Sequence, residues 1–382
     1  MANTETRMES ARIESVLARY RPLISRELRR IVRSAASLTP SSPATAEPLS
    51  GFYAQIEYHL GWRHPDLSAA KAHPGKLLRP TLLLLACELG AELRGVASAE
   101  RAASVESALP AAACVELVHN FSLIHDDIED GDETRRHRPT LWTLWGVPQA
   151  INTGDGLFSL ARAGLWGLPA RGVAPAVVVR LADRLDRTCL ELCEGQYLDM
   201  SFEGRDDITV EMYLDMIGRK TAALMACATT MGALIGAPED DALAERMERF
   251  GRALGVAFQL RDDLLGIWAP TSELGKTPAG DLRRKKVTLP IIHARESAGA
   301  EDRAAIASAY AGEGEMPQEQ IETTLHILER AGARERVREE LRTRAAVARS
   351  ALEAVGEADD AERDGPRGAL ASLLRFVSAA AE

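Results

Sequence analysis

From Gly51 to the end of the chain, apolar residues recur at three- and four-residue intervals almost without a break. Amphipathic helices have that period; half-buried strands, with a period of two, do not. Pro and Gly punctuate the pattern at Pro74-Gly75, Gly131, Pro139, Pro238, Pro270, Pro278-Ala279-Gly280 and Pro317. Alternating β-branched runs bounded by turns are essentially missing. The spacing predicts helices over 51–62, 76–93, 105–130, 140–168, 174–203, 209–235, 238–268, 282–297, 300–312, 318–331, 335–356 and 366–380. The fold class is therefore all-α, with helices long enough for a large bundle around a deep cavity.

Upstream, Ile13, Val16, Leu17, Tyr20, Leu23, Ile24, Leu28, Ile31 and Val32 mark one more amphipathic helix with a basic outer face. Ser34 to Ser50, with Pro40, Pro43 and Pro48, reads as a flexible linker. This divides the chain into an N-terminal helix with its linker, 1–50, as an appendage, and an all-α domain over 51–382. At 382 residues and 46% hydrophobic content a sizeable core is expected. The formal net charge of -10 argues against nucleic acid or an anionic membrane as partner, and makes a divalent metal the natural bridge to an anionic substrate. The five cysteines, Cys87, Cys114, Cys189, Cys193 and Cys227, fall in apolar helical stretches without a C-x-x-C pair. They read as buried free thiols and imply a reducing cytoplasm. Residues 1–12 carry no apolar signal-peptide run, and Leu82–Cys87 is far too short to span a bilayer.

Two aspartate pairs stand out against this background. Asp126-Asp127 lies in Leu123-Ile124-His125-Asp126-Asp127-Ile128-Glu129-Asp130, and Asp262-Asp263 in Phe258-Gln259-Leu260-Arg261-Asp262-Asp263. Each ends an apolar helical stretch. Adjacent carboxylates at the mouth of such a core repel one another and are costly to desolvate unless a cation lies between them. Mg²⁺ suits such sites, because it keeps its waters and shares phosphate oxygens. Asp126 and Asp130 are four apart, hence on one helix face. Arg135, Arg136 and Arg138 follow at once, suited to gripping phosphate bidentately. An EF-hand loop is excluded, since Ile128 occupies a ligand position and His137 stands where the bidentate Glu belongs. A plain solvated helix end is the competing account of this cluster.

Gly75-Lys76-Leu77-Leu78-Arg79-Pro80 places Lys76 and Arg79 three apart at a helix start, where backbone N–H groups already favour anions. His119 lies two turns before Asp126 on the same face, where a structural role competes with ligand binding. Gly218-Arg219-Lys220-Thr221 opens an apolar helix, and Lys220 could point into the cavity or to the surface. Gly275-Lys276 offers a further loop cation. Neither G-x-x-x-x-G-K-[ST] nor G-x-G-x-x-G occurs, so nucleotide binding has no motif behind it.

Taken together these motifs resemble the trans-type isoprenyl diphosphate synthases, over roughly Gly51 to the C-terminus. Gly75-Lys76-x-x-Arg79-Pro80 looks like the family's homoallylic diphosphate site, to which His119 and Arg136 would also belong. Asp126-Asp127-x-x-Asp130 matches the first aspartate-rich motif, with Arg135 placed for the allylic diphosphate. Lys220-Thr221, Gln259, Asp262-Asp263 and Lys276 fall where the family puts the rest of the allylic and metal site, and Thr288-Leu289-Pro290 is similar to the stretch after it. The resemblance implies Asp126, Asp127, Asp130, Lys220 and Asp262 as catalytic residues, with Mg²⁺, three ions per site, on Asp126, Asp130 and Asp262. It also implies a homodimer. One departure stands out: the second motif usually reads D-D-x-x-D, and Gly266 occupies its last place.

The implied reaction ionises an allylic diphosphate and couples the cation to isopentenyl diphosphate. An aromatic at Phe121 beside the small Ser122, just over a turn from Asp126, resembles enzymes that make geranylgeranyl diphosphate, with farnesyl diphosphate next. Two other readings stay open. A terpene cyclase would not need the Gly75/Lys76/Arg79 site, and a non-catalytic subunit of a heteromeric synthase should lose an aspartate cluster.

Overall fold

A computed structural model describes residues 2–39, 41–70, 75–269, 279–312, 314–355 and 365–381. Helices account for nearly all of it. In chain order they are α1 (Ala2–Leu38), α2 (Pro43–His59), α3 (Leu78–Leu93), α4 (Ser98–Glu129), α5 (Leu141–Trp145), α6 (Val147–Leu165), α7 (Pro175–Phe202), α8 (Val210–Ile217), α9 (Ala223–Gly236) and α10 (Asp241–Trp268). The C-terminal part adds α11 (Gly280–Arg283), α12 (Leu289–Ser297), α13 (Ala300–Tyr310), α14 (Gln318–Arg330), α15 (Ala333–Glu353) and α16 (Pro366–Ser378). The all-α expectation holds, with boundaries within a few residues of the spacing. Among the described residues the paired strands form one small antiparallel hairpin, β1 (Thr134–Arg135) with β2 (Arg138–Pro139).

The centre consists of α3, α4, α9 and α10, packed pairwise and flanked by α6, α7, α15 and α16. Their sequences explain their position. From Leu82 to Ala91, α3 is buried on every side, and α4 is buried from Ala108 to Val118. A helix apolar all round has no face to offer water and must sit inside. Helix α4 is also the one helix among the described residues long and apolar enough to cross a bilayer, yet 78% of that stretch is buried in the fold, as befits a core helix. A second apolar cluster, around Leu282, Ile291, Ile306 and Leu328, ties α11–α14 together. Thr209 caps α8 and Asp240 caps α10, accepting from Met212 N at 3.2 Å and Leu243 N at 2.8 Å.

The N-terminal segment corrects the sequence reading. Residues 34–50 are not a linker: α1 runs to Leu38 and α2 begins at Pro43, where a first-turn proline loses no intrahelical bond. Nor does α1 hang free. Its stripe of Ile13, Leu17, Tyr20, Ile24, Leu28 and Ile31 is buried against α4, α16 and α3. Polar anchors fasten it: Tyr20 donates to the buried Glu88, Arg19 reaches the same carboxylate at 2.7 Å, and the 1%-exposed Glu27 takes Arg30 and Arg171. These partners lie 60 or more residues away in the chain apart from Arg30, so no local pattern could announce them.

Candidate active site

The first acidic rim is the C-terminal end of α4. Asp126 and Asp130 lie on one face, as their spacing requires. Burial pushes the Asp126 carboxyl up to about 6, helped by Asp130 and Glu129 and opposed by Lys220 and Arg135. Burial raises Asp130 as well. Asp127 turns the other way. It is 2% exposed and accepts from Arg135 Nε at 2.6 Å. The hairpin makes this possible: Arg136 and His137 take left-handed φ values of 52° and 61° in its two-residue turn. Arg135 is thereby directed to Asp127 and Arg136 to the opposite loop. Neither turn residue is glycine, and such backbone strain persists where the surroundings fix it.

The second rim is the C-terminal half of α10, and it repeats the division of labour. Asp263 is 1% exposed, accepts from Tyr213 Oη at 2.6 Å and from Gln259 Nε2 at 3.1 Å, and is pushed up to about 6 by burial. Asp262 stays half-exposed at the surface of the cleft, with Arg261 at 3.8 Å.

Between the rims lies a π-helical turn, Gly218–Ala222, which carries Lys220 and Thr221. Such bulges recur at functional sites because they re-aim side chains. Two glycines let the widened turn fit: a Cβ at Gly195 on α7 would overlap Lys220 N, and one at Gly255 on α10 would lie 2.5 Å from Ala222 Cα. Lys220 Nζ donates to Asp199 Oδ2 at 2.6 Å. Burial pulls its ammonium down, but Asp126, Asp199 and Asp130 more than offset this and the net shift is upward. Thr221 Oγ1 donates to Gln259 Oε1 at 3.1 Å. Lys286 favours the charged form of both Asp130 and Asp263.

A basic pocket adjoins them. Gly75 has φ +72°, and a Cβ there would come within 2.9 Å of the Arg136 guanidinium. Arg79 Nη1 lies 3.2 Å from His119 Nε2, while its Nε is enclosed with no hydrogen-bond partner among the described residues. Burial and the flanking Arg79 and Arg136 hold His119 well below its usual range, so it is neutral. Beneath sits Glu116, 4% exposed, bonded to Asn120 and pushed up to about 7 by burial against the pull of Arg79 and Arg136. Asp262 and Glu116 both favour the charged form of the buried Arg79. Lys76 is exposed just before α3. Lys276 lies outside the described residues.

Below the first rim, a cavity of about 310 Å³ runs between α4 and α7, lined by Phe121, Ser122, Asp126, Leu192, Tyr197 and Lys220. Phe121 is 7% exposed and packs edge-on against Phe158 of α6 at 5.2 Å and His125 at 5.8 Å.

The sequence-predicted acids do not all face the cleft. Asp127, expected among the catalytic acids, faces inward, and so does Asp263. Asp199, Tyr213, Phe158 and Lys286 belong to the site but stood in no motif. Cys193 is exposed at the cavity, whereas the other four cysteines are buried, and all five are free. Among the described residues no three Asp, Glu, His or Cys side chains gather closely enough to hold an ion alone. That fits a cation completed by substrate oxygens and water. Carboxylates raised by burial and mutual repulsion at an open cleft are the donor set that such a cation would relieve.

The polyprenyl synthetase family model matches residues 66–328. A geranylgeranyl diphosphate synthase of Mycobacterium tuberculosis is 42% identical over 275 residues, covering 72% of this chain and 74% of its own. The crystal structure of a polyprenyl synthetase from Streptomyces coelicolor superposes with a TM-score of 0.79 at 35% identity, covering 96% of this chain and 99% of that one. The geranylgeranyl pyrophosphate synthase of Corynebacterium glutamicum, solved with isoprenyl diphosphate and magnesium, gives a TM-score of 0.74 at 25% identity, with 95% and 99% covered.

Proposed function

The chain belongs to the polyprenyl synthetase family, and on that premise we propose that it condenses isopentenyl diphosphate with an allylic diphosphate to make geranylgeranyl diphosphate. What carries this reading is the adjacency of three parts: two acidic rims, a basic pocket beside them and an apolar cavity beneath. The pocket suits the homoallylic diphosphate. Gly75 lets the backbone approach, Lys76, Arg79 and Arg136 supply charge, and the neutral His119 offers a hydrogen bond. The rims suit the allylic diphosphate, held with Lys220, Thr221, Gln259, Lys276 and, through Asp127, Arg135.

Asp126, Asp130 and Asp262 are assigned to Mg²⁺, three ions per site. When bound, the metal supplies Lewis-acid stabilisation of the departing diphosphate. Lys220, fixed by Asp199, neutralises charge growing on the same oxygens. Arg79 and His119 hold isopentenyl diphosphate so that its double bond faces the reacting carbon. Phe121, Ser122 and the apolar wall keep water from the cation. Phe121, backed by Phe158, limits the chain to twenty carbons.

A cyclase has no use for the Gly75, Arg79, His119 and Arg136 pocket, which favours condensation. We also assign a homodimer, supported by Trp166 at the end of α6 and Val179, Leu190 and Tyr197 on α7, large apolar residues left exposed. A cytoplasmic location accords with five free cysteines. The test is incubation with labelled isopentenyl diphosphate, each allylic starter in turn and Mg²⁺. Extracted geranylgeranyl diphosphate is expected; a hydrocarbon formed without isopentenyl diphosphate would replace this reading with a cyclase.

A further inference from the structure

Arg138 reads from the sequence as one of three arginines for phosphate, but its guanidinium faces backbone instead. Nη1 donates to Tyr58 O at 3.0 Å and Nη2 to Arg63 O at 2.7 Å. The guanidinium carbon lies 4.2 Å from the ring centroid of the buried Tyr58, whose Oη donates to Pro139 O at 2.8 Å. Both residues of β2 are thus tied to the end of α2 and the loop beyond it. That loop is itself braced, with Arg63 Nη1 donating to Leu67 O at 2.6 Å and His64 N to Ser68 O at 2.9 Å. What the tie holds is strained. Arg136 and His137 take left-handed φ values without being glycine, and Arg135 stands directly opposite Arg138 in the hairpin register. Like charges so placed repel, yet each guanidinium turns aside, Arg135 to Asp127 and Arg138 to its two carbonyls. A two-stranded hairpin is marginal in water by itself, so a strained turn at its tip needs anchoring from outside.

We propose that Arg138 is a positioning residue, which fastens the strained hairpin to the α2–α3 connection and so keeps the arginines for both substrates in register. It acts through Arg135 and Arg136 and not on phosphate. The inference rests on the synthase reading above. The hairpin carries Arg135 and Arg136, and the α2–α3 connection carries Gly75 and Lys76. Arg138 therefore joins the two segments assigned to the two diphosphates, and a change there should reach both.

The test is steady-state kinetics of the purified full chain with isopentenyl diphosphate, farnesyl diphosphate and Mg²⁺. Arg138→Met should raise KM for both substrates roughly tenfold while kcat stays within about threefold, the pattern of weakened binding without lost chemistry. Arg138→Lys keeps the charge but not the planar fork, and should behave like Arg138→Met. His137→Gly alone should leave both KM values unchanged. Arg138→Met/His137→Gly should return both to within about threefold of the wild type, because glycine takes a left-handed φ without steric cost. This double variant and Arg138→Lys decide the matter even where Arg138→Met folds poorly. Unchanged KM values in Arg138→Met, a rise for one substrate alone, wild-type behaviour in Arg138→Lys, or no recovery in the double variant would overturn the proposal. The wild type separates the two levels: elongation by the wild type beside an unaffected Arg138→Met sinks only this inference, while no elongation by the wild type sinks the synthase reading itself.

Discussion

The two acidic rims solve one problem by different means. On α4 the acids Asp126 and Asp127 come from the last turn and Asp130 from the C-cap, so the geometry of one helix end sets their positions. On α10 the helix supplies only Asp262 and Asp263, and the neighbouring carboxylate arrives from α11 against Gly266. Yet both pairs divide their labour alike. The first aspartate faces the cleft, and the second is buried and locked, Asp127 by Arg135 and Asp263 by Tyr213 and Gln259. A doubled aspartate is therefore not a pair of carboxylates facing the cleft. One carboxylate faces the cleft, and its neighbour is tied down at the helix end that presents it.

The largest effect should separate outward from inward acids. Asp126→Ala is expected to lower turnover by about a thousandfold or more with the fold intact, as judged by circular dichroism. Asp127→Asn should cost far less, and equal losses would erase the distinction. Next comes the charge between the rims: Lys220→Met should reduce kcat roughly a hundredfold while KM for isopentenyl diphosphate holds steady. A rise in that KM alone would move Lys220 to the other substrate. Phe121→Ala should lengthen the product by one or more five-carbon units, read by chromatography of the dephosphorylated alcohols. An unchanged chain length would pass the role of floor to Phe158. Smallest is Tyr213→Phe, which leaves a buried acceptor of Asp263 unmet and should destabilise the fold by about 1 to 3 kcal/mol in denaturant titration. No change there would mean that Gln259 suffices to hold the inner acid.

How far the sequence foretold this site depends on how local each feature is. Helix boundaries were legible because period and punctuation are local, and the outward acids because four-residue spacing fixes a face. The inward turn of Asp127 was not, since it depends on a hairpin whose Arg136 and His137 carry no glycine or asparagine signal. Asp199, Tyr213 and Lys286 come from elements that meet the rims only after packing. The same holds for α1: its apolar stripe was plain, but its partners α4 and α16 lie far along the chain. That Asp281 fills the space beside Gly266 was not legible either, since the two stand fifteen positions apart.

The account is tested most directly by product formation from isopentenyl diphosphate and farnesyl diphosphate with Mg²⁺, compared between the wild type and Arg79→Ala. It predicts geranylgeranyl diphosphate from the wild type and a steep rise in KM for isopentenyl diphosphate, with farnesyl diphosphate binding retained, in the variant. No elongated product from the wild type, or an Arg79→Ala enzyme that elongates normally, would contradict it.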